Sequence, residues 1–185
     1  MADSGETVAL LRHVEKSAVL SDDGLYRYEL TRTWEDWDGP RLCWVMLNPS
    51  TADAEVDDPT IRRCMAFSKA WGYHSLVVVN LFGLRATDPK ALVTPPCNPV
   101  GPENDLHIEL AVLGSSGVIA AWGTKGVIRE RNHAVTRLLT VKMREDVNCL
   151  AVTKDGHPKH PLYVKGDTQP TLYRASHSGR NVEQR

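Results

Sequence analysis

The chain has 185 residues and a mass of 20.6 kDa, enough for one compact domain. Its 42% hydrophobic and 24% charged residues allow a buried core, which excludes a chain that is disordered throughout. A formal net charge of −1 excludes a protein that coats duplex DNA through bulk electrostatics.

The first part of the chain is predicted to form an antiparallel hairpin. Stretches 17–20 and 25–34 flank Asp22-Asp23-Gly24, which has the composition of a tight turn. From Leu42 onward, short apolar runs alternate with segments of helical periodicity. Strands are predicted over 42–47, 75–81, 117–122 and 147–152, and helices from Asp58-Pro59 to Gly72, over 102–113 and over 128–141.

Strands that are apolar on both faces and alternate with helices are typical of a parallel sheet covered on both sides. We therefore predict an α/β fold, a three-layer α/β/α sandwich with a four-stranded parallel core and an added N-terminal hairpin. One domain is expected over residues 1–167. The apolar pattern ends near Thr168, so residues 168–185 are predicted to form a partly mobile C-terminal tail.

The four cysteines, Cys43, Cys64, Cys97 and Cys149, are scattered without a C-x-x-C pair. This spacing favours reduced thiols packed as small buried side chains, with neither disulfides nor structural zinc. No apolar run approaches the ~20 residues that span a bilayer, and the polar N-terminal segment lacks a signal-peptide pattern. A cytoplasmic protein without membrane contact is therefore expected.

Three common catalytic and cofactor motifs are missing from the sequence. There is no G-x-x-x-x-G-K-[ST] phosphate loop and no G-x-G-x-x-G after a predicted strand, which argues against P-loop enzymes and dinucleotide binders. The G-x-S-x-G nucleophile motif is also missing, which argues against an α/β-type serine hydrolase. We accordingly predict no cofactor and no bound metal.

Each predicted core strand runs into a loop rich in polar side chains. Open parallel sheets bind ligands beyond the carboxyl ends of their strands, so four such loops on one rim predict a binding site. The candidate residues are Asn48, Pro49, Ser50, Thr51, Asp53, Arg62, Arg63, Asn80, Phe82, Arg85, Thr87, Trp122, Lys125, His157, Lys159, His160 and Tyr163.

Several charged candidates have a structural alternative. Asp57 and Asp58 resemble paired carboxylates for a metal, but Asp58 is more simply the N-cap of the following helix. Arg62 and Arg63 lie near that helix start, where they would contact phosphate or remain on a solvated surface. Arg85 lies in a loop, where an arginine often holds backbone carbonyls.

The aromatic and histidine candidates also leave alternatives open. Phe82 and Trp122 either stack a base or pack at the rim, and packing is preferred for each taken alone. His157 and His160 lie three apart in a loop that its prolines prevent from being helical throughout. Because no third ligand follows at a set spacing, we favour proton donation or hydrogen bonding by one of them over metal binding.

Several blocks of sequence resemble a bacterial and phage family catalogued only as a domain of unknown function. The similarity covers roughly residues 25–165 and brings no established activity. The blocks are MLNPSTAD (46–53), DDPTIRRC (57–64), NLFGLRATDP (80–89), NPVGPEND (98–105), AAWG (120–123) and DGHPKHPLYV (155–164).

The order of these blocks is also similar to the uracil-DNA glycosylase superfamily, in particular its mismatch-specific branch. Residues 47–50 would stand for that branch's G-I-N-P-G loop, 84–87 for its R-P-T loop and 157–162 for its H-P-S or N-P-S loop. Met46 and Ser50 replace the two glycines of the first motif, and the last loop has an extra residue and a lysine.

The second resemblance implies a uracil-DNA glycosylase-like fold and cleavage of the bond between a base and its sugar. Asn48 would orient the attacking water, and His157 or His160 would donate a hydrogen bond to the departing base. Phe82 or Trp122 would stack the base. Arg62, Arg63, Lys125 or Lys159 would contact phosphates of a nucleotide or nucleic acid, and a polynucleotide would have to extrude its target base.

Two further hypotheses remain open at this point. One is a non-catalytic module that binds modified bases, nucleotides or a protein partner. The other is a metal-dependent phosphoesterase that uses Asp53, Asp57 and Asp58 with a histidine. The near-neutral charge requires that phosphate recognition come from a few cations around one rim, which favours a small substrate or a weakly held strand.

Overall fold

The computed structural model describes residues 14–35, 38–50, 56–142 and 146–174. These residues form a mixed α/β fold with one seven-stranded sheet and three α-helices. The strands are β1 (Glu15–Leu20), β2 (Arg27–Thr33), β3 (Arg41–Met46), β4 (Ser75–Asn80), β5 (Gly117–Ala120), β6 (Val147–Cys149) and β7 (Thr171–Leu172). The helices are α1 (Pro59–Ala70), α2 (Asn104–Leu113) and α3 (Arg131–Arg137), with 3₁₀ turns at Pro89–Leu92, Thr124–Glu130 and Pro161–Tyr163.

The sheet combines parallel and antiparallel strands in the order β1-β2-β4-β3-β5-β6-β7. β4, β3, β5 and β6 are parallel to their neighbours within this group. The β1–β2 hairpin adds to β4 in antiparallel orientation, and β7 adds to β6 in the same way. The strand count of the sheet therefore differs from the prediction, because β7 extends it beyond the parallel strands and the hairpin.

Successive side chains along the central strands belong in turn to two separate hydrophobic clusters, one on each face of the sheet. Cys43 and Val45 of β3 pack with residues of α2 and α3, whereas Leu42 and Trp44 pack with residues of α1. Because successive side chains of a strand point to opposite faces, α1 covers one face of the sheet and α2 and α3 cover the other. Both faces are thus buried, as the apolar strand sequences require.

The first helix begins where the sequence predicts it. Asp58 accepts a hydrogen bond from the Ile61 amide on Oδ1 at 2.8 Å, and Pro59 takes the first helical position. The predicted turn of the hairpin is also present, with Gly24 at φ +68° and its amide donating to the Ser21 carbonyl at 2.9 Å. Local capping and turn residues were therefore sufficient to place both features.

The predicted helix over 128–141 begins later than expected. Arg129 and Glu130 have φ values of 53° and 55°, so their backbone adopts the left-handed conformation. The regular α-helix therefore starts only at Arg131. The fifth and sixth strands are likewise shorter than predicted, ending at Ala120 and Cys149.

Residues beyond the domain boundary predicted at residue 167 are part of the folded domain. Thr171 and Leu172 pair with Cys149 and Asn148, and the Tyr173 side chain is buried in the core. A two-residue strand gives no periodic signal in the sequence, which is why this stretch resembled a tail. Residues 175–185 of the predicted tail lie outside the described part of the chain.

All four cysteines are free thiols, and Cys43, Cys64 and Cys149 are buried as expected. Burial raises the pKa of these three thiols, which keeps them protonated at neutral pH. Over the residues that the structure describes, no helix combines the length and apolar character needed to cross a membrane.

Candidate functional site

A cavity of about 390 Å³ lies at the carboxyl ends of β3, β4 and β5, on the face of the sheet covered by α1. Apolar side chains of that face, including Met46, Ile61 and Val78, form part of its wall. Predicted site residues from all four loops reach it. They are Asn48, Ser50, Asn80, Thr87, Trp122, Lys125, His160 and Tyr163.

The Asn48 side chain is held in one orientation by the backbone. Its Nδ2 donates to the Ala86 carbonyl at 2.8 Å and to the Pro49 carbonyl at 3.0 Å, and the Ala86 amide donates to the same Pro49 carbonyl. Because both amide hydrogens are used by carbonyls, the remaining polar atom, Oδ1, is an acceptor only. The loops after β3 and β4 are thereby joined, and Asn48 brings a fixed hydrogen-bond acceptor to the cavity.

Asn80 ends β4 and is only 3% exposed, although its side chain lines the cavity. Its backbone carbonyl accepts a hydrogen bond from Asn104 Nδ2 at 2.9 Å. The next carbonyl, of Leu81, accepts one from Arg131 Nε at 2.9 Å. Two polar side chains from α2 and α3 therefore fix the end of β4 from behind the cavity, which restricts the position of Asn80.

His160, and not His157, is the histidine that the structure places at the cavity. Its Nδ1 accepts a hydrogen bond from the Leu162 amide at 3.4 Å, at the start of the 161–163 turn. Burial lowers the pKa of His160, with the charge of Asp58 acting in the opposite direction. Neutral His160 with an accepting Nδ1 carries its proton on Nε2, so it can act as a hydrogen-bond donor there.

Asp58 lines the cavity while it caps α1. Its Oδ1 accepts from the Ile61 amide, and its Oδ2 accepts from the Ser50 hydroxyl at 3.4 Å. The interpretation of Asp58 as a helix cap is confirmed. The carboxylate also contributes negative charge to the cavity wall.

The aromatic candidates differ in their access to the cavity. Phe82 is 0% exposed within the core under α2 and α3, so it is not available to stack on a ligand. Trp122 lines the cavity but is 2% exposed, and its ring packs edge-on against Tyr173 with centroids 5.6 Å apart. Tyr163, at the mouth, is 77% exposed and presents the accessible aromatic surface.

Three arginines predicted as phosphate or substrate contacts donate hydrogen bonds to backbone carbonyls, and none of the three lines the cavity. Arg63 donates to the Val164 carbonyl at 2.8 Å and lies over the Phe67 ring at 4.8 Å. Arg62 is exposed and donates to the Asp57 carbonyl. Arg85 donates to the Gly24 carbonyl at 3.1 Å, which ties its loop to the hairpin turn.

Other predicted site residues lie away from the cavity lining. Pro49 is buried and contributes its carbonyl to the Asn48 clamp, and Lys159 donates its amide to the Ala151 carbonyl. His157 is half-buried, and its amide donates to Thr153 Oγ1 at 3.1 Å. Thr51 and Asp53 lie outside the described residues.

The hypothesis of a carboxylate metal site finds no support in the side chains that the structure describes. Asp57 Oδ1 accepts from Arg32 Nε at 2.7 Å, and Asp57 Oδ2 lies 3.6 Å from Lys16 Nζ. Its charge is thus compensated by two cations. Among the described residues, no three His, Cys, Asp or Glu side chains are grouped so as to hold a metal ion.

Residues 27–162 match the family described as "Protein of unknown function (DUF1643)", and this match spans most of the chain. The chain belongs to this family. No curated protein and no solved structure gives a significant match. The matched region begins at Arg27 in β2 and contains Asn48, Asn80 and His160.

Sequence analysis missed Arg27 as a residue of the DUF1643 cavity. Arg27 is 5% exposed and lines the cavity, although it lies in an alternating stretch typical of a strand with a solvated face. Thr60 and Thr124 also line the cavity and were not singled out. Thr60 is in the first turn of α1, and Thr124 begins the 3₁₀ turn that follows β5. Both lie beside residues that the sequence did single out at this edge of the sheet, so their positions after a strand could have indicated them.

Protonation of His160 is expected to destabilise this DUF1643 protein at acidic pH. The unfolded chain binds a proton near the ordinary pKa of about 6.5, whereas folded His160 does so only at lower pH. Its stabilising contribution is therefore present above that ordinary pKa and is lost as pH falls through the folded pKa.

The melting temperature of the wild type should thus fall more than that of His160→Gln between about pH 7.5 and about pH 5. Every other ionisable group is the same in the two proteins and therefore cancels in the comparison. An equal fall in both proteins would contradict this role of His160.

Proposed function

We propose that the cavity binds a nucleobase attached to a sugar and that the protein cleaves the N-glycosidic bond between them. The observation that carries this proposal is the clamped Asn48 amide, whose Oδ1 is an oriented acceptor in the same cavity as His160. A fixed acceptor can hold the attacking water, and a neutral hydrogen-bond donor can stabilise negative charge on the departing base, so the pair favours hydrolysis of this bond.

The reaction assigns a separate task to each side chain. Water adds to the sugar carbon through an oxocarbenium-like state, the carbon–nitrogen bond breaks, and its electron pair leaves with the base. Asn48 Oδ1 accepts a hydrogen bond from that water and holds it beneath the sugar. His160 Nε2–H donates to an oxygen of the departing base as negative charge develops there, and the proton released by water completes the free base.

The architecture is in keeping with a uracil-DNA glycosylase-like arrangement. Four mutually parallel strands, with helices on both faces, place Asn48 after β3 and His160 in the loop after β6. The resemblance implies Asn48 in the LNPS segment, and in the HPKHPL segment it implies either His157 or His160. The likeness in block order and the shared cavity therefore support the same assignment.

Base release from a panel of substrates tests the proposal. The panel contains nucleosides, nucleotides and oligonucleotides that carry uracil, mismatched or modified bases. His160→Gln is expected to slow release of the preferred base about tenfold, because loss of one hydrogen bond to a charged group costs about 1.5 kcal/mol. Free base is quantified by chromatography under single-turnover conditions.

His157→Gln is the matched control, since His157 lies in the same loop but does not line the cavity. It should release base at the wild-type rate. If the wild type released no base from any substrate of the panel, the proposed reaction would be wrong. Equal effects of the two substitutions would remove His160 from the mechanism.

A second candidate, binding without turnover, is favoured by the state of the cavity carboxylate. Both oxygens of Asp58 accept hydrogen bonds within the protein, and an amide such as Asn48 is not a proton acceptor of useful basicity. A site of this kind recognises a base without strongly activating water. Ligand-induced thermal stabilisation without any base release would identify this function.

A further inference from the structure

Helix α2 carries a row of leucines on the side that faces away from the sheet. Leu106, Leu110 and Leu113 are 56%, 52% and 70% exposed, whereas Ile108 and Val112 are buried in the core. The exposed positions are spaced by four and three residues, so they lie on one side of the helix. A helix that covers a sheet ordinarily presents polar side chains to solvent, so this leucine stripe indicates a partner.

The leucine stripe is separate from the cavity. The cavity lies on the face of the sheet covered by α1, whereas α2 covers the opposite face. Single exposed leucines are common on protein surfaces, but three on one side of a short helix form a continuous apolar patch. Apolar patches bordered by polar residues are typical of surfaces that bind another protein.

The stripe is complementary to a second copy of itself. Leu106 and Leu113 lie at its two ends, and the midpoint between them falls next to Leu110. A two-fold axis through that midpoint, perpendicular to the helix, makes the α2 helices of two copies antiparallel. Leu106 of each copy then lies against Leu113 of the other, and the two Leu110 side chains meet at the axis.

The charges beside the stripe are arranged with the same symmetry. The side chain of Glu103, directly before α2, is 62% exposed. Gly114 directly follows α2 on the same side of the helix, about three helical turns from Glu103. Arg41 reaches this end of α2, because its Nη1 lies 3.9 Å from the place that a Cβ on Gly114 would occupy. In the antiparallel pair, Glu103 of each copy therefore comes next to Arg41 of the other.

We propose that α2 is the interface of a homodimer, in which the leucine stripes of two copies pack antiparallel and Glu103 of each copy pairs with Arg41 of the other. The charge pattern favours a second copy over a foreign partner, because an acid at one end of the stripe and a base at the other complement the same surface turned by the two-fold axis. The antiparallel arrangement also brings opposite ends of the helix dipoles together. Both cavities stay open, since each lies on the other face of its sheet.

The size of the helix sets the strength of this dimer. A helix of ten residues is about 15 Å long, which gives an interface at the small end of the range for protein complexes. We therefore expect a reversible dimer with a dissociation constant on the order of 10–100 μM. In analytical ultracentrifugation of the full chain, the average mass should rise from 20.6 kDa towards twice that value between about 1 μM and about 500 μM protein.

Leu110→Lys places a charge at the centre of the interface, opposite the same charge of the other copy. It should weaken the dimer at least about tenfold, because it removes the burial of a leucine and opposes two like charges. Leu172→Lys is the matched control and should dimerise like the wild type, since Leu172 is 48% exposed in β7 at the far edge of the sheet. Both changes replace exposed side chains, so the melting temperatures of the dilute proteins should change little.

A charge exchange tests how the two copies are arranged. Glu103→Lys and Arg41→Glu should each weaken the dimer about threefold or more, because each opposes like charges at both ends of the interface. The double variant restores both pairs with the charges exchanged, and it should regain most of the wild-type affinity. Asp167→Lys, which makes the same change in net charge as Glu103→Lys at an exposed site after the 161–163 turn, is the control and should not weaken the dimer.

Each result decides one part of the proposal. A mass of 20.6 kDa over the whole concentration range would overturn the homodimer. Equal dimerisation of the wild type and Leu110→Lys would remove α2 from the interface. Weakening by Leu110→Lys without recovery in a folded double charge variant would refute the antiparallel arrangement. None of these measurements uses base release, so the homodimer and the proposed reaction are tested separately.

Discussion

Replacing Asn48 by alanine is expected to reduce base release by about 100-fold, the effect of misplacing a reacting group by a small distance. The substitution removes Oδ1, the acceptor that positions water, and it also frees the carbonyls of Ala86 and Pro49 from their shared donor. Single-turnover base release by Asn48→Ala and wild type, on the preferred substrate of the panel, measures this loss.

The structural part of this effect is measured separately. The Pro49 carbonyl keeps the Ala86 amide as a donor, whereas the part-buried Ala86 carbonyl loses the Asn48 amide, and this loss is expected to lower the free energy of unfolding by about 1–3 kcal/mol. Because small domains are commonly stable by about 5–15 kcal/mol, the variant should still be folded in the assay. A folded Asn48→Ala protein that releases base at the wild-type rate would contradict the role of Asn48.

Much of the architecture follows from local properties of the sequence. Runs such as SLVVVN in β4 are apolar on both faces, and only a strand covered on both sides satisfies them. Asp58-Pro59 and Gly24 act through their own backbone neighbours, so the helix start and the hairpin turn were predictable. The short strand β7 was not predictable, because its place depends on pairing with β6 more than 20 positions away.

The site was predictable to the extent that its residues follow the ends of strands. Asn48 and His160 were candidates for that reason, and the structure brings both to one cavity. Arg63 and Arg85 were considered as ligand contacts because they lie near polar loops. The sequence does not show which backbone carbonyls a charged side chain will contact in the folded chain. Arg63 contacts carbonyls about 100 positions later in the chain, and Arg85 contacts one about 60 positions earlier.

Arg27 was missed for a different physical reason. In the stretch that contains it, polar and apolar residues alternate, which indicates an outward-facing arginine in a regular strand. Tyr28 is an extra residue of β2 in its pairing with β1, and this bulge reverses that orientation. A bulge is specified by pairing with β1 rather than by local composition. Sequence periodicity therefore assigns a polar side chain such as Arg27 to the wrong face of its strand when the strand contains a bulge.

The packing beneath the site links its chemistry to the stability of the fold. Trp44 lies in β3, four residues before Asn48, and is 0% exposed. Its ring lies 6.0 Å from that of Trp71 and 6.2 Å from that of Phe67, and its Nε1 donates to Ser68 Oγ at 3.0 Å. One side chain thus joins the strand that carries Asn48 to the helix that carries the cavity wall.

Replacing Trp44 by alanine is expected to lower the free energy of unfolding by about 3–5 kcal/mol, the usual cost of removing a large buried ring. Ser68→Ala alone should cost about 1–3 kcal/mol, because it leaves the buried indole N–H without an acceptor. In Trp44→Phe, which keeps an aromatic ring but has no N–H, Ser68→Ala should cost measurably less.

Urea unfolding of the two single variants and the double variant measures this coupling, and additive effects would show that the indole–hydroxyl bond contributes nothing. Val19→Ala is the surface control, since Val19 is 41% exposed, and it should change stability by less than about 0.5 kcal/mol. Because Trp44 itself does not line the cavity, Trp44→Phe should lose stability but retain base release below its melting temperature. Loss of base release by a folded Trp44→Phe protein would show instead that the packing of α1 on β3 sets the position of Asn48.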